Sequence, residues 1–177
     1  MTQNTIDPQQ SKQLADIEAF EQGTGYDATY LKEMLTHAPE ALEVFNGFLP
    51  MAGHRKHAPL EAYYVAKLSA YRIADCGPCL QLAVTYAKHD GVRKELIESV
   101  ALQGKPLTGM NLAVQRFTRA VLANEPELAD LRKELVFDLG EAAVIEIALA
   151  IAAAQVFPLV KRAMGRYQSC QMISLEL

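Results

Sequence analysis

The chain has 177 residues, half of them apolar, and a formal net charge of −4. That length suits one domain with or without an arm, and the lack of any basic block argues against a nucleic-acid partner. The polar start, Met1 to Lys12, carries no signal-peptide core, and no run reaches the roughly 18 uncharged apolar residues of a membrane helix. The closest, Ile147 to Val160, contains Gln155 and Pro158, so the chain reads as a cytoplasmic protein without a membrane partner.

Nearly every segment has helical spacing. Asp27 suits an N-cap, with Tyr30, Leu31, Met34 and Leu35 on one face after it. Pro39 fits a first turn, and Ala41, Phe45, Phe48 and Leu49 form the next stripe, which Pro50 should end or kink. The polar run Ala52–Pro59 reads as a connector, giving an N-terminal helical arm over 1–57 and a helical domain over 58–177. Leu60, Tyr64, Leu68 and Tyr71 mark the next helix, and Leu80, Ala83, Val84 and Ala87 the one after, closed by Gly91. A helix from about Val92 to Leu102 leads to a loop at Gly104, Pro106 and Gly109. The row Met110, Ala113, Val114, Phe117, Ala120 and Val121 follows, then a helix opened by Pro126. Beyond Gly140, residues Glu141 to Phe157 are apolar nearly all round, the pattern of a helix buried in a core or a subunit interface, with the interface favoured. Pro158 should break or kink the chain before a last basic helix with Lys161, Arg162 and Arg166. No segment alternates with the period of a strand, so the fold class is all-α.

One motif carries chemistry: Cys76-Gly77-Pro78-Cys79. A C-x-x-C at a helix start brings two sulfurs within disulfide reach, and the helix N–H groups favour a thiolate there. Pro78 suits the first turn because it has no N–H to orphan. Asp75 reads as a cap or a solvated residue rather than a base. The thioredoxin fold shares the tetrapeptide but needs a strand before it, whereas Leu60 to Ala74 has helical spacing. No metal is expected: a zinc site wants four paired ligands, and Cys170, with nothing local to mark it as reactive, is the only other cysteine. Burial as two small core residues is also disfavoured by the Gly-Pro between them. His37, His54, His57 and His89 read as solvated residues, and Tyr63, Tyr64 and Tyr71 as core. No G-x-G-x-x-G fingerprint occurs, so no redox cofactor is expected.

The stretches YVAKLSAYRIADCGPCLQLA, VQRFTRAVLAN and EAAVIEIALAIAAAQVFP, spread over roughly 58–165, together resemble the carboxymuconolactone decarboxylase superfamily, in its alkylhydroperoxidase D-like branch. The resemblance implies an all-α fold that assembles into a homo-oligomer (dimer, trimer or hexamer). It also implies a thiol peroxidase or disulfide reductase acting on a peroxide or disulfide substrate, recycled by an external thiol reductant. By the same resemblance Cys79 attacks and Cys76 resolves, while helix-starting motifs often make the first cysteine the nucleophile. The family's proton relay places a glutamate twelve residues before the first cysteine and a histidine four after the second. Those positions are Tyr64 and Ala83 here. Glu61, one turn earlier, is the candidate substitute for the glutamate, against its reading as a solvated first-turn residue.

Two further functions compete with the peroxidase. A redox sensor or oligomeric scaffold would form the disulfide without turnover, and the missing relay favours it. A lactone decarboxylase has no use for a dithiol, which the Cys-Gly-Pro-Cys argues against.

Overall fold

A computed structural model describes residues 8–170 and 174–177, with the side chains of 169 and 170 left out of the description. The described residues form nine α-helices and a short 3-10 turn at Tyr167–Cys170, with no strand among them. The all-α expectation therefore holds. The chain falls into two compact units, Met1–Leu49 and Pro50–Leu177.

The first unit contains α1 (Pro8–Thr24), α2 (Thr29–His37) and the start of α3 (Pro39–Gly53). Its core is a relay of rings: Phe20 to Tyr26, Tyr26 to Tyr30, Tyr30 to Phe45 and Phe45 to Phe48, with centroids 5.7, 6.5, 6.1 and 6.0 Å apart. Edge-on and tilted rings at this spacing add to what their burial contributes. The turn into α2 is closed by side chains. Ala28, not Asp27, is the N-cap residue of α2; Asp27, one position earlier, accepts the Thr29 N–H through Oδ1 at 3.0 Å, and the Ala28 N–H donates to Glu21 Oε1 at 2.9 Å. Helix α1 buries only Ile17 and shows no apolar stripe, so periodicity does not announce it.

The second unit is built around α4 (Leu60–Ile73), which buries every residue from Ala62 to Tyr71. Packed on it are α5 (Gly77–His89), α6 (Lys94–Ala101), α7 (Gly109–Ala123) and α9 (Glu141–Ala163), with α8 (Leu128–Leu139) bridging α7 and α9. Gly91 (φ 87°) and Gly140 (φ 84°) occupy left-handed positions where the chain leaves α5 and where it turns from α8 into α9.

Three boundaries differ from the sequence expectations. Helix α3 runs through Pro50 to Gly53, and α9 runs through Pro158 to Ala163, so Lys161 and Arg162 end α9 rather than forming a separate helix. Pro158 is buried in α9, where tertiary burial outweighs one lost backbone bond, whereas Pro50 is exposed one turn before the end of α3. The unit boundary falls after Leu49 rather than after His57. Residues 50–57 belong to the second unit because its buried polar groups hold them. Tyr63 Oη and Lys67 Nζ both donate to the Ala52 carbonyl at 2.9 Å, and Glu146 Oε2 accepts the N–H groups of Lys56, His57 and Ala58 at 2.9, 2.8 and 2.8 Å.

By length and composition α9 is a helix that could cross a bilayer. Half of that apolar window is buried inside the protein, and its inner face carries the buried Glu146 and Lys161, which is the arrangement of a core helix.

Candidate functional site: the Cys76–Cys79 dithiol

Cys76 caps α5 in an extended conformation, and Cys79 lies in the first turn that follows. The two sulfurs are 2.6 Å apart and both are buried. A disulfide needs about 2.05 Å between sulfurs, so bonding requires little displacement of the backbone. The helix start favours negative charge on either sulfur, and burial opposes it.

The approach to the motif is held from α9. Asp75 adopts a left-handed conformation (φ 52°), rare for a residue with a side chain. The Arg162 guanidinium donates to the carbonyl of Ala74 and, at 3.0 Å, to that of Asp75. Two turns earlier on α9, Gln155 Nε2 donates to the Ala70 carbonyl at 2.9 Å. Arg162 thus binds carbonyls just past the end of α4, whereas Gln155 adds a second donor to the Ala70 carbonyl, which already accepts the Ala74 N–H at 2.9 Å. On the far side of the motif, the Gln81 amide forms a two-way pair with the backbone of Glu176, at 3.0 and 2.8 Å, which docks the C-terminal residues against α5.

The structure does not bring the candidate relay residues to the sulfurs. Glu61 lies in the first turn of α4, at the end of that helix opposite the dithiol. There it is held by Arg93 through two bonds, of 2.6 and 3.0 Å, and by Asn111 at 3.3 Å. The Arg93 hydrogen bond is the main cause that keeps its carboxyl below the usual range. In this position its carboxylate pairs with the Arg93 guanidinium. Tyr64 is buried, and its hydroxyl donates to Asp90 Oδ2 at 2.6 Å. Asp90 follows the last turn of α5, and eleven residues of helix at about 1.5 Å each put it some 16 Å from Cys79. Burial first, then the bond to Asp90, pushes the Tyr64 phenol well above its ordinary range. Ala83 is part of the core.

Beside Tyr64 lies a buried lysine, Lys67. Lys67 is 8 % exposed and lies over the rings of Tyr63 and Tyr64, with its ammonium 5.4 and 6.0 Å from their centroids. Burial lowers its pKa to about 8. Burial likewise holds the Tyr63 phenol up at about 12. Nothing local in the sequence distinguishes Lys67 from a solvated lysine. Arg162 and Gln155 were equally silent, because their roles depend on α9 lying across the end of α4.

Of the histidines, His54 is partly exposed and lies 3.7 Å from Glu146, while His89 is exposed beside Asp90 at 3.2 Å. The Cys170 side chain lies outside the described residues. Among the described residues, no three His, Cys, Asp or Glu side chains converge as a metal-binding group. Comparison of the chain with family models, curated proteins and solved structures finds no match in any of the three.

Proposed function

We propose that the protein is a dithiol peroxidase or thiol-disulfide oxidoreductase of the alkylhydroperoxidase D-like kind, working through Cys76 and Cys79. The observation that carries this reading is the placement of two sulfurs 2.6 Å apart at the start of α5, inside an all-helical unit. In the peroxidase cycle a thiolate attacks the terminal oxygen of a hydroperoxide, the O–O bond breaks, and the alkoxide leaves and takes a proton to become an alcohol. The attacking cysteine becomes a sulfenic acid. The second thiol attacks that sulfur, forming the disulfide and releasing water. An external dithiol then returns two electrons and two protons by exchange. The resemblance makes Cys79 the attacking residue and Cys76 the resolving one.

A second reading, a redox sensor or scaffold without turnover, is favoured by a specific observation. Tyr64, at the relay position, is bonded to Asp90 rather than to a group beside the sulfurs. The test compares hydrogen-peroxide and organic-hydroperoxide consumption, with added dithiol, in the wild type and in Cys76→Ser and Cys79→Ser. Turnover in the wild type alone supports the enzyme, and the serine variant that still traps a sulfenic acid identifies the nucleophile. A single oxidation to the disulfide with no turnover supports the sensor.

A further inference from the structure

A pocket of about 460 Å³ opens in the second unit between α4, α6 and α7, bounded at one edge by Asp75. Its size is that of a small-molecule site. Ile73 and Val100 give it apolar wall, and three arginines, Arg72, Arg116 and Arg119, face it from α4 and α7. Against one acidic side chain in the lining, Asp75, the three guanidinium groups leave a charge of +2 (three minus one).

The arginines differ in what they already do. Arg72 Nη1 donates to the Ala101 carbonyl at 2.6 Å and so fixes α4 to the end of α6. Arg116 and Arg119 are more than half exposed, and their acidic neighbours, Glu127 at 3.9 Å and Glu125 at 3.3 Å, lie outside the lining. The long, exposed Arg116 pair contributes little, so that guanidinium can turn to a ligand at small cost; Arg119 keeps Glu125, which is only 25 % exposed, through Nε and has further N–H groups to offer a ligand.

A second, independent feature points to a ligand. Ser69 contributes to the pocket from α4, is 5 % exposed, and its hydroxyl has no hydrogen-bond partner. A buried hydroxyl in a helix commonly donates back to a carbonyl one turn earlier, as Thr118 does to Val114 at 2.8 Å. Ser69 does not, which leaves a donor and an acceptor in need of a partner.

We infer that this pocket binds a small molecule that carries a carboxylate on an apolar chain. Arg116 and Arg119 take the carboxylate, Ile73 and Val100 line the chain, and a ligand oxygen satisfies Ser69. The inference is independent of the dithiol chemistry, because it concerns binding and is read by binding.

The experiment is calorimetric titration of the wild-type protein with octanoate, octanol and acetate, repeated on an Arg116→Gln/Arg119→Gln double variant and on Ser69→Ala. Octanoate should bind saturably at one site, and octanol and acetate about tenfold or more weaker, because each lacks one half of the recognition. The double variant should lose about tenfold in octanoate affinity with an unchanged unfolding midpoint, and Ser69→Ala should weaken it less. Amide shifts on octanoate addition should map to Ser69, Val100 and Gln103. Equal binding of octanoate and octanol, an unaltered affinity in the double variant, or no saturable binding would each overturn the site.

Discussion

Glu146 is buried in the second turn of α9, yet it stays ionised because the chain is wrapped around it. Burial pushes its carboxyl up, but the backbone N–H groups of Ala58, His57 and Lys56 outweigh that and hold it at about 2. A carboxyl whose folded pKa lies below its unfolded value stabilises the fold at higher pH. The contribution is full above about 4.5 and is lost as pH falls towards about 2. Glu146→Gln keeps one acceptor and loses the charge, so it should cost about 2 kcal/mol at pH 7 in urea unfolding. The gap to the wild type should close as pH drops through that window. A gap that persists at pH 2.5 would mean that shape, not charge, holds the loop. Lys67 is lowered too, but here it is the charged form that burial disfavours. Its folded pKa of about 8 lies below the unfolded 10.5, so its protonated form is disfavoured in the native protein. Stability should therefore rise from about pH 8 towards 10 in the wild type relative to Lys67→Met, which keeps the neighbouring tyrosines. Urea midpoints at pH 7 and 9.5 measure that difference, and parallel midpoints would refute it.

At the scale of elements, the dithiol depends on helices that do not contain it. Arg162, at the end of α9, positions the Ala74–Asp75 backbone that leads into Cys76. Two charge-assisted bonds to carbonyls are worth enough that Arg162→Ala should raise the rate of Cys76 and Cys79 alkylation about tenfold, by easing local opening. Global unfolding should shift much less. An unchanged alkylation rate would show that the lead-in is held by other contacts. The same dependence explains what the sequence makes legible. Helix α5 is bounded by local signals, a proline near its start and Gly91 after its end, and both act as expected. Helix α4 reads as one-sided because Lys67 and Ser69 interrupt its apolar pattern, yet it is the most buried helix of the unit. Lys67 is accommodated by the Ala52 carbonyl and two rings, partners that lie far away along the chain or on the helix's own surface. Glu61 is likewise placed by contacts that the sequence does not show. One turn of helix from Tyr64 is a short distance in sequence, but the dithiol lies at the other end of α4 and Arg93 is the nearer charge.

For the whole molecule, the telling surface is the outer face of α9. Its inner face packs against α4 and α8. Ile145 and Leu159 remain 50 % and 59 % exposed, and Ala142, Leu149, Ala152 and Val156 fall between or beside them, each exposed or half-buried. The steps from Ala142 to Leu159 run three, four, three, four, three, the seam spacing of paired helices. A seam of this kind is self-complementary across a two-fold axis, and the small alanines permit close approach. We propose that a second copy of the chain covers it, which keeps the homo-oligomer expected from the sequence and narrows it to this face. Ile145 and Leu159 each have about half a side chain left to bury, worth about 1 kcal/mol apiece. Four such side chains across a dimer amount to about 4 kcal/mol, or roughly a thousandfold in dissociation constant. Sedimentation velocity should therefore show an oligomer for the wild type and monomers for Ile145→Lys/Leu159→Lys at the same concentration. Helicity should be retained, since neither side chain faces the core of the unit. A monomeric wild type would leave the face without the partner proposed for it, and an oligomer that survives the double substitution would place the interface elsewhere.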